Sequence, residues 1–135
     1  MAIFSKLGRY IDFGLLIMRI GLGVMMVLHG YPKLIGGPEK WTSIGNAMKN
    51  IGMVSYPTFW GFMAAITEGL GGVLLILGLA FRPACLLLLF TMVMASINHF
   101  SKGDDIMKAS HAIELAFVFF GLFFAGPGRH SIDKS

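Results

Sequence analysis

A chain of 135 residues has room for one domain and not for a second. With 56% hydrophobic residues, 13% charged residues and a mean hydropathy of +0.74, it falls outside the usual range for a soluble domain. The net charge of +4 would suit nucleic acid only if the basic side chains formed a stripe. The eleven Lys and Arg are instead scattered at the flanks of apolar runs, which speaks against a nucleic-acid partner and for a lipid bilayer.

Lys6 and Arg9 precede the first apolar run, Phe13 to Leu28, which continues more weakly through Tyr31. No small-residue cleavage site follows, so this is read as an uncleaved first span over about 13–31. Pro32 cannot donate to a preceding carbonyl and is expected to kink or stop the helix. Residues 33–56 are too polar to cross. Trp41, Ile44, Ala47, Met48 and Ile51 recur there at helical spacing, predicting a short amphipathic helix over about 39–52 that lies in the interface with Trp41 as its anchor.

A second span is predicted over 57–81, opened by Pro57 at a first helical turn. Arg82-Pro83 then reads as a tight connection to a third span over 83–100. The fourth runs over about 109–125 and is stopped by Gly126-Pro127-Gly128. The expected fold is an all-α membrane protein. It is a single integral-membrane domain, 1–135, built as a four-transmembrane-helix bundle with both termini on one side. The basic flanks tie at five on each face, but the three arginines outside the spans all fall with the termini. That favours an N-in, C-in orientation. Cys85 is the single cysteine, which excludes an intramolecular disulfide or C-x-x-C pair, and it reads as a small buried hydrophobe.

Three ionisable groups lie inside the spans. Glu68 has no charged neighbour in the 25 residues from Pro57 to Phe81, and a carboxylate at the centre of a bilayer costs roughly 2.5–3.5 kcal/mol. Gly61, Ala65, Glu68 and Gly72 share one helix face, so Glu68 is expected to face the packing side. At a rise of about 1.5 Å per residue, Glu68 and Glu114 both lie about 16 Å from the inner ends of their helices, and Arg19 about 9 Å. A buried Arg19 between two carboxylates that share a proton is the economical arrangement. His29, His99 and His111 fall about 21–24 Å from the same side and form a second, outer layer, with Lys33 one turn beyond His29.

Three functions compete for these groups. Arg19, Glu68 and Glu114 could staple the bundle of a non-catalytic scaffold or assembly subunit. They could instead be catalytic with His29, beside a lipid-soluble redox cofactor such as a quinone held by His29, Lys33, His99, His111 and Arg19 among the first, second and fourth spans. The third is a metal or haem site at the three histidines, which no H-x-x-x-H pair supports. The glycine-dense faces make a homo-oligomer plausible without specifying one.

The pattern Arg19-x3-Gly23-x5-His29-Gly30-x2-Lys33-Leu34, then Gly36-Gly37-Pro38-Glu39, resembles the DoxX family. So do Gly61-Phe62-x-Ala64-Ala65-x2-Glu68-x2-Gly71-Gly72, Gly78-Leu79-x2-Arg82-Pro83-Ala84 and the ending Gly126-Pro127-Gly128-Arg129-x-Ser131-Ile132-Asp133. The resemblance covers residues 13–133. It implies a small four-helix protein of the bacterial cytoplasmic membrane, related to membrane subunits of a thiosulfate:quinone oxidoreductase. A quinone and a thiosulfate or thiol-type donor are then expected, with a membrane or soluble redox subunit as partner. Cys85 alone cannot run dithiol chemistry.

Overall fold

Each of the four apolar runs forms one helix long enough to cross a bilayer in the computed structural model, which describes residues 3–134. They are α1 (Ile11–Ile35), α3 (Pro57–Leu77), α4 (Phe81–Ser101) and α5 (Ile106–Ala125), with the short α2 (Pro38–Gly45) between the first two spans. A 3-10 stretch, Ser5–Tyr10, leads into α1, and a second, Asn46–Ile51, follows α2.

α3 is the central element, packed against α1, α2 and α4, while α4 pairs with α5. Its buried face carries Gly61, Ala65, Glu68 and Gly72, as the spacing predicts. The core is Met26, Leu75, Phe81, Cys85, Leu88, Met92, Phe119 and Leu122, so Cys85 is indeed buried. The backbones of α1 and α5 stay more than 8 Å apart, and side chains alone bridge them.

Several boundaries differ from the sequence expectation for identifiable reasons. α1 runs past Pro32 to Ile35. Its last turn is held from outside, since Trp41 Nε1 donates to the Lys33 carbonyl at 2.9 Å and satisfies a C-terminal acceptor. Arg82 and Pro83 lie within the first turn of α4, where a proline is tolerated because the first amides have no intrahelical acceptor. The true connection is Gly78-Leu79-Ala80, with Gly78 at φ +67°. α5 starts earlier than expected because the Asp105 side chain accepts from the Lys108 amide at 3.0 Å and caps it.

The segment between the first two spans is a broken helix, and it packs on α3 more than it lies flat. Trp41 is half-buried, edge-on to Phe62 with ring centroids 4.9 Å apart, so it ties α2 to the bundle.

At the end carrying both termini, the C-terminal segment straps the bundle shut. The Asp133 carboxylate accepts from the Ala80 and Phe81 amides at 3.1 and 2.8 Å, capping α4 from 52 residues away. The Asp133 amide donates to the Gly78 carbonyl at 2.9 Å and the Ile132 amide to Leu77 at 3.1 Å. Asp12 accepts from the Arg129 amide at 3.0 Å.

Candidate functional site

Gly30 and Gly69 set the site. A Cβ at Gly30 would fall within van der Waals distance of the Gly69 amide and the Glu68 carbonyl carbon, so α1 and α3 cross at backbone contact. That crossing places Lys33, on the last turn of α1, over the middle of α3. Lys33 Nζ donates to both oxygens of Glu68, at 2.9 and 2.7 Å. The Glu68 side chain is 5% exposed and that of Lys33 is 32% exposed, so the carboxylate is buried and its counter-ion reaches toward the α2 end.

This pair forms a wall common to two cavities. The larger, about 400 Å³, lies between α2, α3 and α4 and is mainly apolar, with Trp60, Thr67, Thr91, Met94 and Asn98 among its lining. Met63, Leu87 and Phe90 on its rim are 40–57% exposed on the membrane-facing flank, so it opens toward lipid. The smaller, about 180 Å³, lies among all four spans and is lined by His29, His99, His111, Lys33 and Glu68, with Met26 and Met92. The His29 and His111 rings face each other across the gap between α1 and α5, centroids 5.5 Å apart.

The histidine layer and Lys33 therefore converge, and they converge on Glu68. Arg19 and Glu114 do not. Arg19 is 1% exposed, and its Nη2 donates to the His130 carbonyl at the termini end, beside Gly78. Gly78 is 10 residues along α3 from Glu68, about 15 Å by helical rise. Arg19 snorkels to the nearer polar end, not toward the bundle centre. Its Nε and Nη1 are buried without a partner. Glu114 is exposed on the outward side of α5, with no ion pair among the described residues. Neither cavity lies among the first, second and fourth spans alone; the larger uses the second and third with α2 as its roof.

No sequence motif singles out Asp104. The turn after α4 folds it back so that its Oδ2 lies 2.8 Å from His99 Nδ1. This hydrogen bond, assisted by Lys108, holds its carboxyl below the usual carboxylate range. The only signal in the chain is Lys102-Gly103-Asp104, with Gly103 at φ +84° reversing the backbone five residues past His99. Among the described residues, no three His, Cys, Asp or Glu side chains are grouped closely enough to hold a metal ion.

Fold and site together define a multi-pass membrane protein with an ion pair buried between two cavities. The family model DoxX matches residues 14–99, and the chain belongs to the DoxX family. It is 29% identical to the "Inner membrane protein YphA" of Escherichia coli (strain K12), over 93% of this chain and 96% of that one. An uncharacterized protein of Haemophilus influenzae is 31% identical over 96% of each chain. A Bacillus subtilis protein named "Putative oxidoreductase CatD" is 28% identical over 68% of this chain and 63% of its own length. No solved structure matches.

Proposed function

We propose that this protein is a redox component of the inner membrane that binds a quinone in the larger cavity, against the Lys33–Glu68 pair. The observation that carries this reading is that one buried ion pair borders both a lipid-facing apolar cavity and a histidine-lined polar one. A volume of about 400 Å³ with apolar walls and a few polar groups is typical of a small-molecule site. The name of the B. subtilis relative contains the word oxidoreductase, which is consistent.

A bound quinone would supply two-electron, two-proton redox chemistry. Lys33 would donate a hydrogen bond to a ring oxygen while keeping its contact with Glu68. Glu68, whose charge that ammonium stabilises, would take up or release the proton. His29, His99 and His111 each carry ring nitrogens able to donate or accept a hydrogen bond. The cationic Lys33, reached from the histidine side, would favour an anionic donor of the thiosulfate or thiolate type. Both termini are taken to face the cytoplasm, which puts the cavities toward the opposite side.

The outward Glu114 favours a second role for α5. A carboxyl near mid-span is costly against lipid, which supports docking of this face on a redox partner subunit or another copy of the chain.

The test is fluorescence. Trp60 lines the larger cavity, so decylubiquinone titrated into the protein in nanodiscs should quench tryptophan emission saturably. Quenching that rises without saturation, together with no quinone in organic extracts of the purified protein, would sink the reading.

A further inference from the structure

We propose that His99 and Asp104 are a proton-exchange dyad through which the Lys33–Glu68 pair equilibrates with water at the α2 end of the molecule. The proposal deepens the quinone reading, which is where such protons would be used. It stands on the side-chain geometry.

Asp104 is in the α4–α5 turn with its side chain 23% exposed, and so meets solvent. An ionised carboxylate can only accept, so the 2.8 Å contact requires the hydrogen on His99 Nδ1. That fixes the tautomer. The neutral ring then carries its lone pair on Nε2, the nitrogen left to the cavity that the ring lines. A proton from water can be taken at Nε2, with the imidazolium stabilised by the Asp104 carboxylate. It is passed on into the cavity while Nδ1–H stays in place, so the dyad returns to its starting state. The same hydrogen bond holds the Asp104 carboxyl below the usual carboxylate range, which favours its charged, accepting form.

The groups facing His99 make a graded series. Asp104 is joined in the turn by Lys102, and Lys108 of α5 lies 3.9 Å from its other oxygen. Across the cavity are His111 on α5, His29 and Lys33 on α1, and Glu68 on α3. A polar space of about 180 Å³ also has room for several waters. Imidazoles line this cavity and not the larger one, so the smaller cavity has the side chains that can both accept and donate a proton.

A purely structural dyad, closing the turn beside the Asp104 amide bond to the His99 carbonyl at 3.1 Å, makes a different prediction. Asp104→Asn keeps a hydrogen bond, because the amide oxygen can accept from Nδ1–H, but it removes the charge that stabilises the imidazolium. In the full-length protein with ¹⁵N-labelled histidine, His99 should be in the Nδ1–H form when neutral. The second arm uses Lys33→Met, in which Glu68 takes up a proton and its carboxyl stretch is visible in the infrared. After transfer to D₂O that band should shift at least 10-fold more slowly in Lys33→Met/Asp104→Asn than in Lys33→Met alone.

An Nε2–H ring in the wild type, or equal exchange rates in the two variants, overturns the proposal. Should Lys33→Met fail to fold, Lys33→Gln, which keeps a hydrogen-bond donor to Glu68 without the charge, takes its place in both proteins. Decylubiquinone quenching on the same samples tests the quinone reading separately, and its failure leaves the exchange result standing.

Discussion

Lys33→Met should produce the largest electrostatic effect of any single substitution in this chain. It removes the ammonium that holds both oxygens of a carboxylate 5% exposed, and removing one partner of such a buried pair typically costs about 3–5 kcal/mol. The stranded carboxylate has one inexpensive response, which is to bind a proton. An infrared carboxyl band absent from the wild type and removed by adding Glu68→Leu is therefore expected. The double variant Lys33→Met/Glu68→Leu leaves no uncompensated charge and should recover most of the lost thermal stability, giving a strong coupling in the double-mutant cycle. Glu114→Leu supplies the contrast. That carboxyl is exposed, so its removal should leave the folded monomer's stability unchanged or raised.

The second large effect is steric. A Cβ at Gly61 would overlap the Trp41 carbonyl, and one at Gly45 would overlap that of Pro57, so α2 and α3 are in backbone contact along the roof of the larger cavity. Gly61→Ala must push α2 away. A cost of roughly 1–3 kcal/mol or more is expected, since neither backbone can yield locally. The displaced Trp41 loses its edge contact with Phe62 and its bond to the Lys33 carbonyl, which should red-shift tryptophan emission. Gly21→Ala and Gly121→Ala, where an added Cβ meets nothing within 4 Å, should change stability by no more than about 0.5 kcal/mol.

These contrasts also show which features were legible in the sequence. Four spans could be read because each apolar run falls within the roughly 17–25 residues that cross a hydrocarbon core, and the burial of Glu68 because Gly61, Ala65 and Gly72 lie on its face. The side of α5 on which Glu114 lies could not. No glycine face marks the side of α5 that meets α4, and Glu114 points outward. The counter-ion was misassigned for a related reason. Arg19 is long enough to snorkel either way, and the C-terminal strap that draws it toward His130 is a contact across 111 residues that no local pattern announces. Lys33 was placed at the outer mouth beside the histidines, correctly in level. Its reach down to Glu68 depends on the Gly30–Gly69 crossing, which the spacing of glycines suggests only once the two helices are known to be neighbours. Asp104 and Asp133 act through turns, where a carboxylate's partner is fixed by backbone reversal and not by periodicity.

Whether the Lys33–Glu68 pair is a working wall of a ligand site or a fastening between α1 and α3 is decided most directly by one titration. Decylubiquinone is added to the wild type and to Lys33→Met/Glu68→Leu in nanodiscs, with tryptophan emission as the readout and thermal unfolding confirming that both are folded. Saturable quenching in the wild type, weakened at least 10-fold in the double variant, is the predicted result. Equal saturable quenching in both, or none in either, would contradict it.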